Sequence, residues 1–386
     1  MSPNDTRGSA TDTTEPAAPI DRLRSTLLEV AERLVAPPER LRSALLEAVD
    51  RLAATALRRL PEATSTPLVK AGLGLALGLA PLGFALTSRA RLTRADRKID
   101  DSLAVAFPAF DRAERVRIAS QISTHQAMAA LVRRVRDQRG DAWLEALVTP
   151  RDATAFMALR RTRRPTIVVS WHAGSSAGLI TGLARLEREA AAAAPDASAP
   201  TTPVSSPPPL IVRFGPGRTP PGWAQVVADR DPVARGKALQ VALKTLRAGG
   251  LVVLVLDAAR LRAEPPHPNI PFLGRMVRTS PGPAWLARLS GATVVPALAV
   301  WRGSPSPHVD LAFGPAIGHP DVHATDPDLA HTRAIYAWFE AAVRADPSTL
   351  WPKSLINLAH CPAADSSPTR SIASSSSASS RSSHNA

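Results

Sequence analysis

An apolar, β-branched run, Thr166-Ile167-Val168-Val169-Ser170-Trp171, stops at His172 and gives way to a small-residue turn, Ala173-Gly174-Ser175-Ser176-Ala177-Gly178. No other feature constrains the fold of this chain as much. A β-branched run bounded by Ser and Gly predicts a buried strand, and Gly178 to Glu187 then predicts a helix. His172 therefore falls at the carboxyl end of a strand. In open α/β sheets ligands gather at that edge, and imidazole is the side chain best suited to moving a proton near neutral pH. A histidine hydrogen-bonded within a core turn is the plainer alternative.

The same alternation continues downstream. Runs at Leu210 to Phe214, Leu251 to Leu256, Thr293 to Val300 and His308 to Phe313 are separated by helical stretches, which is the pattern of an α/β fold. Before the first strand the pattern from Arg91 to Arg136 is helical, broken at Phe107-Pro108. Asp326 to Ala345 closes the folded part with an amphipathic helix. Residues 1–20, polar and rich in Pro and Thr, are expected to be disordered, as are residues 361–386, dominated by Ser. The Ala-, Pro- and Ser-rich stretch 189–209 reads as a flexible insertion.

Two segments lie between the first tail and the folded part. Residues 21–66 hold an internal repeat, in which Asp21-Arg22-Leu23-Arg24-Ser25 recurs as Glu39-Arg40-Leu41-Arg42-Ser43, and it predicts two short amphipathic helices. These could pack on the main domain, pair with a partner or lie on a membrane surface. Residues 67–95 contain an uncharged stretch from Ala71 to Thr87, flanked by Lys70, Arg89, Arg91 and Arg94. At the short limit for spanning, it reads as a single anchor or an interfacial hairpin, with the basic flank keeping the downstream chain in the cytosol.

Charge narrows the partners. A formal net charge of +14, carried mostly by Arg, favours an anionic partner: nucleic acid, acidic lipid or an acidic protein. With one Tyr and only 4% aromatic residues, and without a zinc-finger, helix-turn-helix or RNA-recognition signature, the chain offers no support for nucleic acid. Cys361 is the sole cysteine, so no intramolecular disulfide forms and no cysteine nucleophile is indicated. His319 and His323 sit in a Pro- and Gly-interrupted stretch and read as surface residues. No metal is indicated by ligand spacing, and no cofactor is called for.

Two chemistries compete at the turn. Gly174-Ser175-Ser176-Ala177-Gly178 fits the G-x-S-x-G elbow of a serine hydrolase, with Ser176 as nucleophile and Asp257 followed by His308 or His323 as partners. The other makes His172 a general base. It draws on the downstream block Pro271-Phe272-Leu273-Gly274-Arg275, on Thr279-Ser280-Pro281-Gly282-Pro283-Ala284-Trp285-Leu286-Ala287-Arg288 and on Gly291-Ala292-Thr293-Val294-Val295-Pro296.

Those three blocks, in that order, resemble the lipid A biosynthesis acyltransferase family, relatives of the lysophospholipid acyltransferases. Ala106-Phe107-Pro108 with Glu114-Arg115, Gly249-Gly250 ahead of Leu251 to Asp257, and Pro347 to Trp351 add to the resemblance. It implies an α/β fold with a mixed central sheet covered by helices over residues 96–360, behind an N-terminal helical and membrane-associating segment. It further implies an enzyme on the cytoplasmic face of an inner membrane. Such an enzyme passes a fatty acyl group from acyl carrier protein or acyl-CoA to a hydroxyl of a lipid acceptor.

The residues fit that chemistry. His172 takes the base role. The turn amides near Gly174 and Ser175, or the hydroxyls of Ser175 and Ser176, are candidate donors to an oxyanion. Phe272, Gly274, Arg275 and Arg278 are candidate substrate-binding residues, the two guanidiniums because they pair bidentately with phosphate. There is one departure. The family motif places Asp or Glu five positions beyond the histidine, where this chain has Ala177. Asp257, also at a strand end, is the candidate substitute; a catalytically impaired protein that binds acyl lipids or a partner is the alternative reading.

Overall fold

The run from Thr166 to Trp171 does become a strand, buried along its whole length. Its alternating side chains explain why apolar residues occupy consecutive positions of the run. Ile167, Val169 and Trp171 enter one hydrophobic layer and Val168 the other, so both faces of the sheet are covered. The structure, a computed structural model, describes residues 94–171, 173–193, 207–213, 218–227, 232–256, 268–302, 308–318 and 326–364. The amphipathic repeat and the 71–87 stretch lie outside these. No helix among the described residues is long and apolar enough to cross a membrane.

In chain order the elements are α1 (Arg94–Ala106), α2 (Arg112–Arg139), α3 (Ala142–Glu145), β1 (Val148–Arg151), α4 (Thr154–Arg161), β2 (Thr166–Trp171), α5 (Ser176–Ala192), β3 (Leu210–Arg213) and β4 (Ala224–Val227). Next come α6 (Pro232–Arg247), β5 (Leu251–Leu256), β6 (Asn269–Phe272), β7 (Arg275–Arg278), α7 (Gly282–Ser290), β8 (Thr293–Arg302), β9 (His308–Phe313), α8 (Pro327–Ala345), a 3-10 turn (Pro347–Thr349) and α9 (Pro352–Ala359). Among the described residues seven strands form one sheet in the order β1-β9-β8-β2-β5-β3-β4. Five of them, from β8 to β4, run parallel; β9 is antiparallel to β8 and carries β1 parallel to itself. The central sheet is thus mixed, as expected.

Helices cover both faces. The layer containing Ile167, Val169 and Trp171 is completed by α1, the first half of α2, α6, α7, α8, α9 and the β6–β7 hairpin. The opposite layer is completed by α4, α5 and the second half of α2. At Phe107-Pro108 the chain turns between α1 and α2. There the Phe107 and Phe110 rings stack at 5.0 Å, and Asp111 caps α2 by accepting from the Glu114 amide at 2.8 Å.

Several elements differ from the sequence reading. Edge strands β1 and β4 were not expected, being four residues each, and β1 carries Pro150, which an edge strand tolerates. The Pro271-Phe272-Leu273-Gly274-Arg275 block is a hairpin turn. Leu273 and Gly274 both take positive φ, 50° and 71°, as a two-residue turn of the I′ kind requires. Helix α5 runs on to Ala192, past the residue where an insertion was expected to start. The folded part also passes the expected boundary at 361. Cys361 is buried, the Met276 amide donates to Pro362 O at 2.8 Å, and Arg275 bridges to Ala363.

Candidate functional site

The turn after β2 is stitched down from three directions. The Gly174 amide donates to Thr349 O at 2.8 Å, the Ser175 amide donates to Ala299 O at 2.6 Å, and the Trp351 indole Nε1–H donates to Gly174 O at 3.1 Å. Ala173 forms a bridge with Leu350. Only glycine fits at 174, where φ is +61° and a Cβ would lie 1.9 Å from Ala299 O. The Pro347 to Trp351 segment, distant in sequence, is therefore a wall of the turn.

These bonds redistribute the donors that the sequence offered. Both turn amides, of Gly174 and Ser175, are already committed to carbonyls. Ser175 is buried, and its Oγ accepts from the Gly178 amide at 3.1 Å as the N-cap of α5. Ser176, by contrast, is the first residue of α5 and is exposed. The capping duty falls on Ser175 and leaves the Ser176 hydroxyl outside it.

His172 and Asp257 lie outside the described residues. The residues just ahead of them are register partners: Trp171 pairs with Leu256, and Ser170 with Val255, in the parallel β2–β5 ladder. Ala177, in the place of the family's acid, is half-buried and packs against the apolar layer beneath α5. The two carboxylates further along α5 are occupied. Glu187 pairs with the buried Arg160 at 2.7 Å, and Glu189 with Arg185 at 3.3 Å.

The hairpin brings its residues to the same strand from below. Phe272 is buried, with its ring edge-on to Trp171 at 4.5 Å and to Tyr336 at 5.6 Å. It thus supports the last residue of β2 from the core, and Gly274 supplies the second left-handed turn residue. Arg275 Nη1 donates to Cys361 O at 3.2 Å. Burial pushes the Cys361 thiol up, with Arg275 opposing it. Arg278 is exposed at the far end of β7. Being three apart on a strand, Arg275 and Arg278 point to opposite faces and do not form a single phosphate clamp.

The hydrolase elbow finds little support in the backbone. A nucleophile elbow holds its serine in a strained turn. Among the described residues the non-glycine positions with positive φ are Asp152, Arg163 and Leu273, so Ser176 is not one of them. His308 begins β9, with Nε2 3.5 Å from Asp310 Oδ1, and His323 lies outside the described residues.

Beside the turn lies a cavity of about 580 Å³ that the sequence reading did not anticipate. It is bordered by α2, α8, the end of β8 and the 3-10 turn. One of its residues is His125, with Nδ1 2.9 Å from Ser348 O. The signal was present in the sequence. Ile118, Ile122 and His125 share one stripe of α2 at helical spacing, so a titratable ring follows two buried apolar residues on that stripe.

Together these features define a three-layer α/β protein whose candidate site is the carboxyl edge of β2 and the segments that wall it. Residues 229–351 match the family described as Bacterial lipid A biosynthesis acyltransferase. That match supports the resemblance drawn from the sequence, and acyl transfer as the general class of activity. It takes in the three downstream blocks, Asp257 and the Pro347 to Trp351 wall, and begins beyond the His172 turn. No curated protein matches the chain.

Proposed function

We propose that the protein transfers a fatty acyl group from an acyl thioester, carried by acyl carrier protein or coenzyme A, to a hydroxyl of a membrane lipid. His172 is the general base: it takes the proton of the acceptor hydroxyl as the oxygen attacks the thioester carbonyl, then returns a proton to the departing thiolate. Asp257 stands in for the acid that Ala177 lacks, orienting the imidazole and stabilising its charged form. Ser176 donates to the developing oxyanion, aided by the positive end of the α5 dipole.

One observation carries this reading. The family-matched segment folds around the end of β2, with Phe272 on Trp171, the 347–351 wall on Gly174, and Leu256 beside Trp171. A net charge of +14 suits both an anionic membrane surface at the cytoplasmic face of the inner membrane and an acidic carrier. Ala177 favours a second reading, a non-catalytic protein on the same fold that binds acyl lipid.

The test is incubation of the purified protein with labelled acyl carrier protein thioester and an extract of membrane lipids, beside His172→Ala. Acyl lipid formed by the wild type alone supports a His172-dependent transferase. Free fatty acid in place of acyl lipid, formed through an acyl-enzyme on Ser176, replaces it with a hydrolase. Retained binding of acyl lipid without turnover leaves the binding protein.

A further inference from the structure

The cavity beside the β2 turn has two unlike walls. Leu298, Val300 and Trp338 form an apolar one, and Gln121, His125 and Ser348 a polar one. Its volume, about 580 Å³, falls in the range of small-molecule sites. The cavity is joined to the turn by direct contact. Ala173 belongs to the same hydrophobic cluster as Leu298 and Val300, and Thr349, next to Ser348, accepts the Gly174 amide.

His125 is the group in this cavity with chemistry to offer. A carbonyl oxygen only accepts, so the 2.9 Å contact with Ser348 O places the ring proton on Nδ1. Nε2 is left as the nitrogen that carries the lone pair. Burial, the largest influence, holds the ring below its ordinary pKa of 6.5, so it is neutral at neutral pH. Arg302 and Asp346, both bordering the cavity, are ion-paired with each other.

We propose that this cavity receives the hydroxyl-bearing end of the acyl acceptor, and that His125 Nε2 determines acceptor specificity by accepting a hydrogen bond from one of its hydroxyls. The inference rests on the acyl-transfer reading and deepens it: His172 handles the reacting hydroxyl, and His125 holds the molecule that bears it. The acyl chain and the thioester make no use of this contact. His125 therefore bears on the acceptor alone.

Two substitutions separate recognition from structure. His125→Asn keeps a donor near the Nδ1 position for Ser348 O but has nothing at the Nε2 position. His125→Gln does the reverse. Acyl transfer is measured from saturating acyl carrier protein thioester to increasing amounts of membrane lipid extract in detergent. His125→Asn is expected to raise the apparent KM for the extract about tenfold, the effect of one lost hydrogen bond, with the loss in KM rather than kcat and the donor KM within twofold. His125→Gln is expected to recover much of that loss even though it melts lower. An unchanged acceptor KM in His125→Asn, or a donor KM that rises equally, overturns the inference. Failure of the acyl-transfer reading looks different: the wild type then forms no acyl lipid at all. In that case the ¹⁵N resonance of His125 Nε2 in the presence of the extract decides the cavity by itself, a moved resonance keeping the site and an unmoved one removing it.

Discussion

Trp171 and Leu256 sit directly across from each other at the carboxyl ends of two parallel strands, and each is followed in the chain by one of the two residues on which acid–base chemistry would depend. The relation is set by the register of β2 on β5. A slip of one residue would turn the apolar side chains of a strand buried on both faces into the wrong layers, so the register is strongly held. In the proposed mechanism Asp257 is the acid that serves His172.

Asp257→Asn tests this directly. The amide keeps the shape and removes the charge that stabilises an imidazolium, so single-turnover acyl transfer is expected to slow on the order of 10²- to 10⁴-fold. Thermal unfolding should stay near that of the wild type. Unchanged transfer would remove Asp257 from the mechanism.

Gly174→Ala is expected to be strongly destabilising. The added methyl would lie 1.9 Å from Ala299 O on a backbone with φ at +61°. Strain and forced displacement together should cost roughly 2–4 kcal/mol, read as a lower urea midpoint with an unchanged slope. A midpoint close to that of the wild type would mean that the turn has room which its contacts deny.

Trp351→Phe leaves most of the ring in place and deletes the N–H that holds Gly174 O at 3.1 Å. The stability loss should be about 1 kcal/mol. Because the bond anchors the turn that follows His172 in the chain, activity is expected to fall by more than the stability loss alone would explain, on the order of tenfold. Equal activity in the folded variant would show that the 347–351 wall is structural only.

The His125 imidazole also sets a pH dependence of stability. Burial lowers its folded pKa, against the raising effects of the Ser348 hydrogen bond and Asp346 and together with the lowering effect of Arg302. As pH falls below about 6.5 the unfolded chain takes up a proton before the folded one does. This contribution is therefore fully present above that pH, is lost as pH falls toward the folded value, and levels off beneath it. Urea unfolding across this window should show a shallower fall in His125→Gln than in the wild type. Equal slopes would assign the acid sensitivity to other groups.

The sequence by itself determined what local signals encode. The runs at 166–171, 251–256 and 293–300 are strands because their largely apolar residues are covered on both faces, the run at 308–313 because buried residues alternate with half-buried ones, and Asp326 marks a helix start because its carboxylate accepts from the amide three residues on. The α/β class and the edge position of the site came from these. Order within the sheet was not legible, since pairing β2 with β5 and β8 joins residues as distant in the chain as Thr166 and Thr293. Nor were the short edge strands, where neighbours rather than composition stabilise the ladder.

At the site the division is sharper. His172, Ser176 and the Pro271 to Arg275 block could be picked out along the chain, because residue type and spacing are local properties. Only the tertiary structure decided that Phe272 is core support for Trp171, that Arg275 grips the Cys361 carbonyl, that the Gly174 and Ser175 amides are already used, and that His125 borders a cavity beside the turn. Each of those facts is a contact between segments far apart in sequence. No one-dimensional pattern fixes such a contact, because it forms only when two independently encoded elements are packed against the same sheet.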